Sequence, residues 1–335
     1  MNDRFIVWYE AVDFPLLQEP KVTKHLSIST DALAHALFTT GRAPGDTAQH
    51  GLTSVYEWLH RICLIPAYLR RQPNGWMART DLARELDRSE KSAISYALGQ
   101  ALTGIFSTQV LGVRFLMHLD RYGGWRNVVV DPRTKSRPDL FGQRDSGGWV
   151  VAEAKGRSTP ITYDVKRKMR QQKRTVRSID GAAPEIAYGC CAYFEEVNGV
   201  ERLRLYAVDP EEDEPEAIDL RVGNPDAFIA SYYAPFLSAL EAGETGRRPG
   251  SGDYVTASFG PYGVEVSLLG SIAERVRTAL RGRLRGLHEG VIGMLQPFRN
   301  WETTPGRFAD GTGVVTEWSS ALGQDDWGGI DERWQ

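Results

Sequence analysis

The stretch GGWVVAEAKGR, residues 147–157, constrains the fold more than any other segment of this chain. Val150, Val151, Ala152 and Ala154 form the apolar run of a strand buried on both faces, as in a sheet covered by helices. Glu153 and Lys155 interrupt that run. Side chains alternate along a strand, so Trp149, Val151, Glu153 and Lys155 share one face, and the Cα atoms of Glu153 and Lys155 lie about 6.5 Å apart. Of the 40 basic residues only 8 are lysine. A lysine inside an apolar strand therefore stands out from the background.

The neighbouring pattern predicts a mixed sheet with helices on it. SEKSAISYALGQALTGIFSTQVLG, starting at Ser89, places Ile94, Leu98, Leu102 and Ile105 on one helical stripe behind a serine N-cap. Gly99 and Gly104 weaken that helix, which points to another backbone packed closely against it. VRFLMHLDRY and RPDLFGQ read as strands, RDSGG as a turn, and GWVVAEAKG as a third strand. TYDVKRKMRQQKRTVRSI reads as a basic helix, followed by EIAYGCCAYFEE and ERLRLYAVDP as strands joined at VNG. The order helix, three strands, helix, strands defines an α/β core over 89–210 with a mixed central sheet flanked by helices.

The flanks read differently. Residues 1–88 carry helical spacing in DALAHALFTT and LTSVYEWLHRICLIPAYLRR, so a mostly helical region is expected there. Residues 211–335 read as an α+β extension. In it EEDEPEAIDL is a solvated connection, DAFIASYYAPFLSALEAG a helix, GETGRRPGSGD a flexible loop, YVTASFGPYGVEVSLLG a hairpin and SIAERVRTALRGRLRGLHEGVIGML an amphipathic basic helix.

Pro138 and Asp139 open the strand before GWVVAEAKG, and a hairpin through RDSGG brings Asp139 beside Glu153. Two carboxylates held together away from bulk water are unfavourable without a cation. Magnesium suits such a pair, since it takes hard oxygen ligands and is commonly held by one or two carboxylates plus substrate phosphate; manganese is the close substitute. Lys155 beside them can orient an attacking water and stabilise charge developing on a phosphate.

Pro138-Asp139 followed by Glu153-Ala154-Lys155 resembles the motif of the PD-(D/E)XK nuclease superfamily, the restriction-endonuclease-like fold. The core of that family is a helix, three strands, a helix and a further strand. The resemblance implies metal coordination by Asp139, Glu153 and the main-chain oxygen of Ala154, and a catalytic Lys155. It implies further that a glutamate on the first core helix, for which Glu90 is the candidate, joins the metal site. A glutamine after the motif, Gln172 or its neighbour Gln171, is implied to contribute to catalysis. Glu19-Pro20-Lys21 and Pro225-Asp226 match fragments of the motif without its order or strand context. The resemblance covers 89–210 and leaves both flanks unmatched.

The helix at 162–178 carries Lys166, Arg167, Lys168, Arg170, Lys173, Arg174 and Arg177 against one acid, Asp164. Lys166, Arg167, Arg170, Lys173 and Arg174 are the candidate phosphate contacts. Arg275, Arg277, Arg281, Arg283 and Arg285 form a second candidate contact, weighed against a solvated amphipathic helix. Trp125, Trp149 and Tyr163 read as core aromatics before base-stacking platforms, and His118 as a packed histidine.

Other classes are disfavoured. Net charge is −3, no apolar run reaches the ~20 residues of a bilayer span, and MNDRFIVWYEAVDF lacks the basic start and long apolar core of a signal peptide. A cytoplasmic protein without membrane contact is the expectation. Cys63, Cys190 and Cys191 have neither disulfide nor zinc spacing. No GxxxxGK[ST] motif is present, so an ATPase function would come from a partner protein. The expected function is a magnesium-dependent deoxyribonuclease of restriction, phage defence or repair. The alternative is a nucleic-acid-binding or scaffolding module with a nuclease-like fold working in a larger complex. The residues leave DNA and RNA undistinguished, and a homodimer is a candidate assembly for cutting both strands.

Overall fold

In the computed structural model the described residues are 4–40, 51–119, 137–144, 146–171, 174–210, 213–246, 253–298, 302–318 and 322. The chain begins with period-two burial. Phe5, Val7, Tyr9 and Ala11 are buried and Ile6, Trp8 and Glu10 half-buried along β1 (Phe5–Val12), which pairs antiparallel with β2 (Lys21–Ile28). Residues 5–12 and 21–28 are therefore strands of the main sheet, not part of a helical layer. Helices begin afterwards with α1 (Thr30–Thr39), α2 (Leu52–Ile62) and α3 (Leu64–Tyr68). A small hairpin of β3 (Leu69–Arg71) and β4 (Met77–Arg79) and the short α4 (Asp81–Glu85) lead into α5 (Arg88–Leu111). Asp87, one residue before α5, is its N-cap, and Gly112 ends it in the left-handed region at φ 67°.

The middle of the chain supplies β5 (Val113–His118), β6 (Leu140–Arg144), β7 (Trp149–Arg157), α6 (Tyr163–Gln171), β8 (Arg174–Ile179), β9 (Ile186–Val197), β10 (Val200–Val208) and β11 (Asp213–Leu220). The main sheet has the order β2-β1-β10-β9-β7-β6-β5, with β1/β10 and β7/β9 parallel and the other neighbours antiparallel. It is a mixed sheet in a mixed α/β fold.

Two expectations fail in this region. The basic helix ends at Gln171, and Arg174–Ile179 is a strand whose Val176 and Ile179 are buried. The cations of this stretch conceal the change from helical to strand period. The acidic segment after Pro210 is also a strand: β11 pairs in parallel with β8, burying Ile218 and Leu220.

The remainder is α7 (Pro225–Ala242), β12 (Glu244–Gly246), β13 (Tyr254–Phe259), β14 (Val264–Leu269), α8 (Gly270–Leu280), α9 (Leu287–Leu295), β15 (Glu302–Thr304), β16 (Arg307–Phe308) and β17 (Thr312–Thr316). Its strands form a second sheet in the order β12-β13-β14-β17-β16-β15. The expected hairpin is β13/β14. The expected long helix over 271–295 is two helices, because Gly282 (φ 103°) and Gly286 (φ 77°) turn the chain between them. No helix among the described residues is long and apolar enough to cross a membrane.

Helix α5 lies on the face of β7 that carries Val150, Ala152 and Ala154. A Cβ on Gly99 would sit 2.7 Å from the Lys155 and Gly156 backbone, and one on Gly156 would sit 1.6 Å from the Ser95 carbonyl oxygen. The two glycines let helix and strand touch backbone to backbone. Gly104 instead makes room for the Thr40 side chain. Glu153 and Lys155 point to the opposite face, where α6 covers β9 and β10 through Met169, beside Cys191, Tyr193 and Tyr206.

Candidate active site

The β6/β7 register pairs Leu140 with Ala152, Phe141 with Val151, Gly142 with Val150 and Gln143 with Trp149. One step further, Asp139 stands opposite Glu153, as the hairpin expectation requires. The contact is reciprocal: Ala154 N–H donates to Asp139 Oδ2 at 2.9 Å, and the Asp139 main-chain N–H donates to the Glu153 carboxylate. The Asp139 carbonyl accepts from Leu119 N–H at 2.8 Å, which ties the same residue to the end of β5. Main chain on both sides therefore fixes the two carboxylates.

Their electrostatics are unfavourable. Burial and then the Asp139 charge push the Glu153 carboxyl above its usual range, against the opposing pull of Lys155 and the Asp139 N–H. Lys155 Nζ donates to Glu153 Oε1 at 3.2 Å, and the two side chains are 36% and 28% exposed. An ammonium within hydrogen-bond reach does not bring this carboxylate back to its ordinary value. That is the environment in which a divalent cation has something to gain.

A narrow cleft reaches Glu153, lined also by Pro138, Met169, Thr175, Gly189 and Pro210. Gly189 lies beside Glu153 in the parallel β7/β9 register, and a Cβ there would come 3.3 Å from the Met169 methyl. Cys191 is paired with Lys155, and burial pushes its thiol up to about 11, so it stays protonated and serves as packing.

The other expected residues fall elsewhere. The Glu90 carboxylate accepts the Asp87 N–H at 3.2 Å in a capping box, on a helix covering the opposite face of β7. The structure does not bring it to Asp139 and Glu153. Gln171 is exposed at the end of α6; Gln172 and Lys173 lie outside the described residues, as does Trp125. Arg174 opens β8. Lys166 donates to Glu10 at 3.0 Å with its ammonium over the Tyr206 ring, and Arg170 donates to the Tyr206 hydroxyl at 3.1 Å. Arg167 pairs with Asp164 at 2.9 Å. These three cations have partners within the fold. Trp149 is packed against Phe141 and Phe228, His118 is half-buried opposite Leu140, and Tyr163 is 78% exposed.

Parity along β7 also puts Arg157 on the face of Glu153 and Lys155, a third charge in line. Its Nη2 is 3.4 Å from Thr159 Oγ1. Extending the alternation by two residues finds it in the sequence.

Among the described residues no group of three or more His, Cys, Asp and Glu side chains stands together. The donors at this site are two carboxylates and the Ala154 main chain. Such a set fits magnesium, which keeps several waters, better than zinc, which takes a closed nitrogen and sulfur shell. The chain matches no protein-family model, no curated protein and no solved structure.

Proposed function

We propose that Asp139, Glu153 and Lys155 form the centre of a magnesium-dependent deoxyribonuclease of the PD-(D/E)XK type. The observation that carries this reading is the reciprocal lock of Asp139 and Glu153, which holds two mutually repelling carboxylates together with an ammonium beside them. The element order α5, β5, β6, β7, α6, β9 supports it, being the order the resemblance implies, with β8 as an insertion before the last strand.

In this reading Asp139, Glu153 and the Ala154 carbonyl hold the cation. A bound divalent cation supplies polarisation of a phosphate oxygen and offsets charge on the leaving oxygen. Asp139 and Glu153 are preorganised by main-chain hydrogen bonds, so little reordering accompanies loading. With its partner carboxylate engaged, the Lys155 ammonium turns to the scissile phosphate, orienting the attacking water or stabilising the charge that develops. Glu90 has no part in this arrangement.

Incubation of supercoiled plasmid and of single-stranded DNA with magnesium, manganese or EDTA tests the proposal. Cleavage is expected with either metal and not with EDTA, and it is expected to fall about 10²- to 10³-fold in Asp139→Ala and Lys155→Ala. Cleavage at the wild-type rate in Asp139→Ala protein would place the chemistry elsewhere. The scaffolding alternative predicts DNA retention without cleavage under every metal condition.

A further inference from the structure

Arg275, Arg277, Arg281, Arg283 and Arg285 fall within eleven residues where α8 passes into α9. Among the described residues none of the five has an acidic partner at ion-pair distance, in contrast to Lys166 and Arg167 on α6. The turn that presents them is held from three sides. Leu284 packs against the core between exposed Arg283 and Arg285. The Asp226 carboxylate, at the start of α7, accepts Gly286 N–H at 3.0 Å and His288 N–H at 2.8 Å. The Arg275 guanidinium donates to the Gly286 carbonyl at 2.8 Å and lies where a Gly290 side chain would be, 2.2 Å from that Cβ position. Gly290 thus lets a guanidinium lie against α9 in a fixed orientation.

An open hollow of about 440 Å³ is bounded here by Ser271, Thr278, Arg275, Arg283 and Arg285, with Glu274 its acid. Guanidinium forks and hydroxyls are phosphate ligands. The N-terminal amides of α9 are already engaged by Asp226, so the side chains carry the attraction. Leu280 is the exposed large apolar residue of this turn, too little apolar surface for insertion into a lipid interface.

The turn stands on the sheet face of the carboxylate pair. His288 Nε2 is 3.1 Å from Gln143 Oε1, and Gln143, Phe141 and Asp139 share a face of β6. Asp139 lies four positions before Gln143 along the chain, about 13 Å at strand spacing. One strand of B-DNA carries about four phosphates over that length.

We propose that the arginine turn between α8 and α9 grips the phosphate backbone of duplex DNA beside the Asp139–Glu153 pair. The choice of DNA rests on the nuclease reading above; the phosphate chemistry does not. The test is fluorescence anisotropy of a labelled duplex of two helical turns with the full chain, in EDTA, across about 50 to 200 mM salt. Arg283→Ala/Arg285→Ala protein is expected to bind about tenfold more weakly at low salt and to lower the slope of log K against log salt by about 2. Arg283→Lys/Arg285→Lys protein keeps most of that slope, which separates lost charge from lost fold. Lys155→Ala protein, short of one phosphate contact, lowers the slope by no more than about 1 while losing cleavage in magnesium. A wild-type slope in the double alanine variant overturns the proposal. So does arginine-dependent capture by phosphatidylserine vesicles with no binding of the duplex. If wild type does not cleave with either metal but the double alanine variant loses its slope, the nuclease reading fails and the phosphate site stands.

Discussion

Two acids of the described fold, Asp310 and Glu153, are treated in opposite ways. Asp310, between α1, α7 and β17, is 3% exposed. Its Oδ2 meets the Tyr232 hydroxyl at 2.6 Å and His35 Nε2 at 3.2 Å, and its Oδ1 takes the Thr312 N–H at 3.0 Å and hydroxyl at 2.6 Å. Burial alone would raise this carboxyl; the His35 charge and the hydrogen bonds outweigh it and hold it below its usual value. At Glu153 burial is less complete, yet the balance goes the other way, because the next charge is another carboxylate. A fold that can satisfy an acid fully at Asp310 leaves one under electrostatic load at Glu153. The first arrangement is a structural clasp, and the second is where the proposed cation would bind.

The clasp predicts the largest effect. Asp310→Ala strands His35, Tyr232 and Thr312 in the core and is expected to cost about 3 to 5 kcal/mol in urea unfolding. A cost near zero would erase the distinction between the two sites. Next, Lys155→Ala or Asp139→Ala is expected to lower DNA cleavage by about 10² to 10³. Their melting temperatures should stay close to wild type, the reverse of the Asp310 pattern.

Smaller effects sharpen the contrast. Magnesium at ten times its dissociation constant should stabilise wild type by about 1.4 kcal/mol in thermal unfolding and leave Asp139→Ala unchanged. The least is Glu153→Gln, which keeps an acceptor for the Asp139 N–H and removes the charge. A carboxyl with a raised folded-state pKa binds more protons folded than unfolded. Its stabilising contribution is full below the ordinary value of 4.5 and is lost as pH rises through the raised value. In the absence of metal Glu153→Gln protein should therefore gain about 0.5 kcal/mol over wild type at pH 7, with the gap closing toward pH 4. A pH-independent gap would mean that Glu153 carries no such load.

The sequence made the centre legible and the periphery less so. Parity along GWVVAEAKG separated Glu153 and Lys155 from Ala152 and Ala154, and the Gly147-containing turn set the distance back to Asp139; both are short-range geometry. Strand β1 shows equally clear alternation in FIVWYEAV, but the stronger helical spacing after Thr30 dominated the reading of that region. The end of α6 and the strand β8 share one run of cations, and β11 is an acidic edge strand whose burial depends on β8. Neither follows from local pattern alone. Glu90 satisfies the spacing for an added ligand, yet it also completes a capping box with Asp87, a local bond that needs no partner across the fold. The double break at Gly282 and Gly286 was visible as glycines within a basic helix, but only the packing of Leu284 shows that the chain turns there.

In the proposed site Asp139 and Glu153 are held together to receive a divalent cation. Titration of the metal-free protein with manganese, followed by the loss of the free-ion electron paramagnetic resonance signal, measures that most directly. One ion bound per wild-type chain and none in Asp139→Asn is the predicted result; no binding by wild type, or equal binding by both proteins, would contradict it.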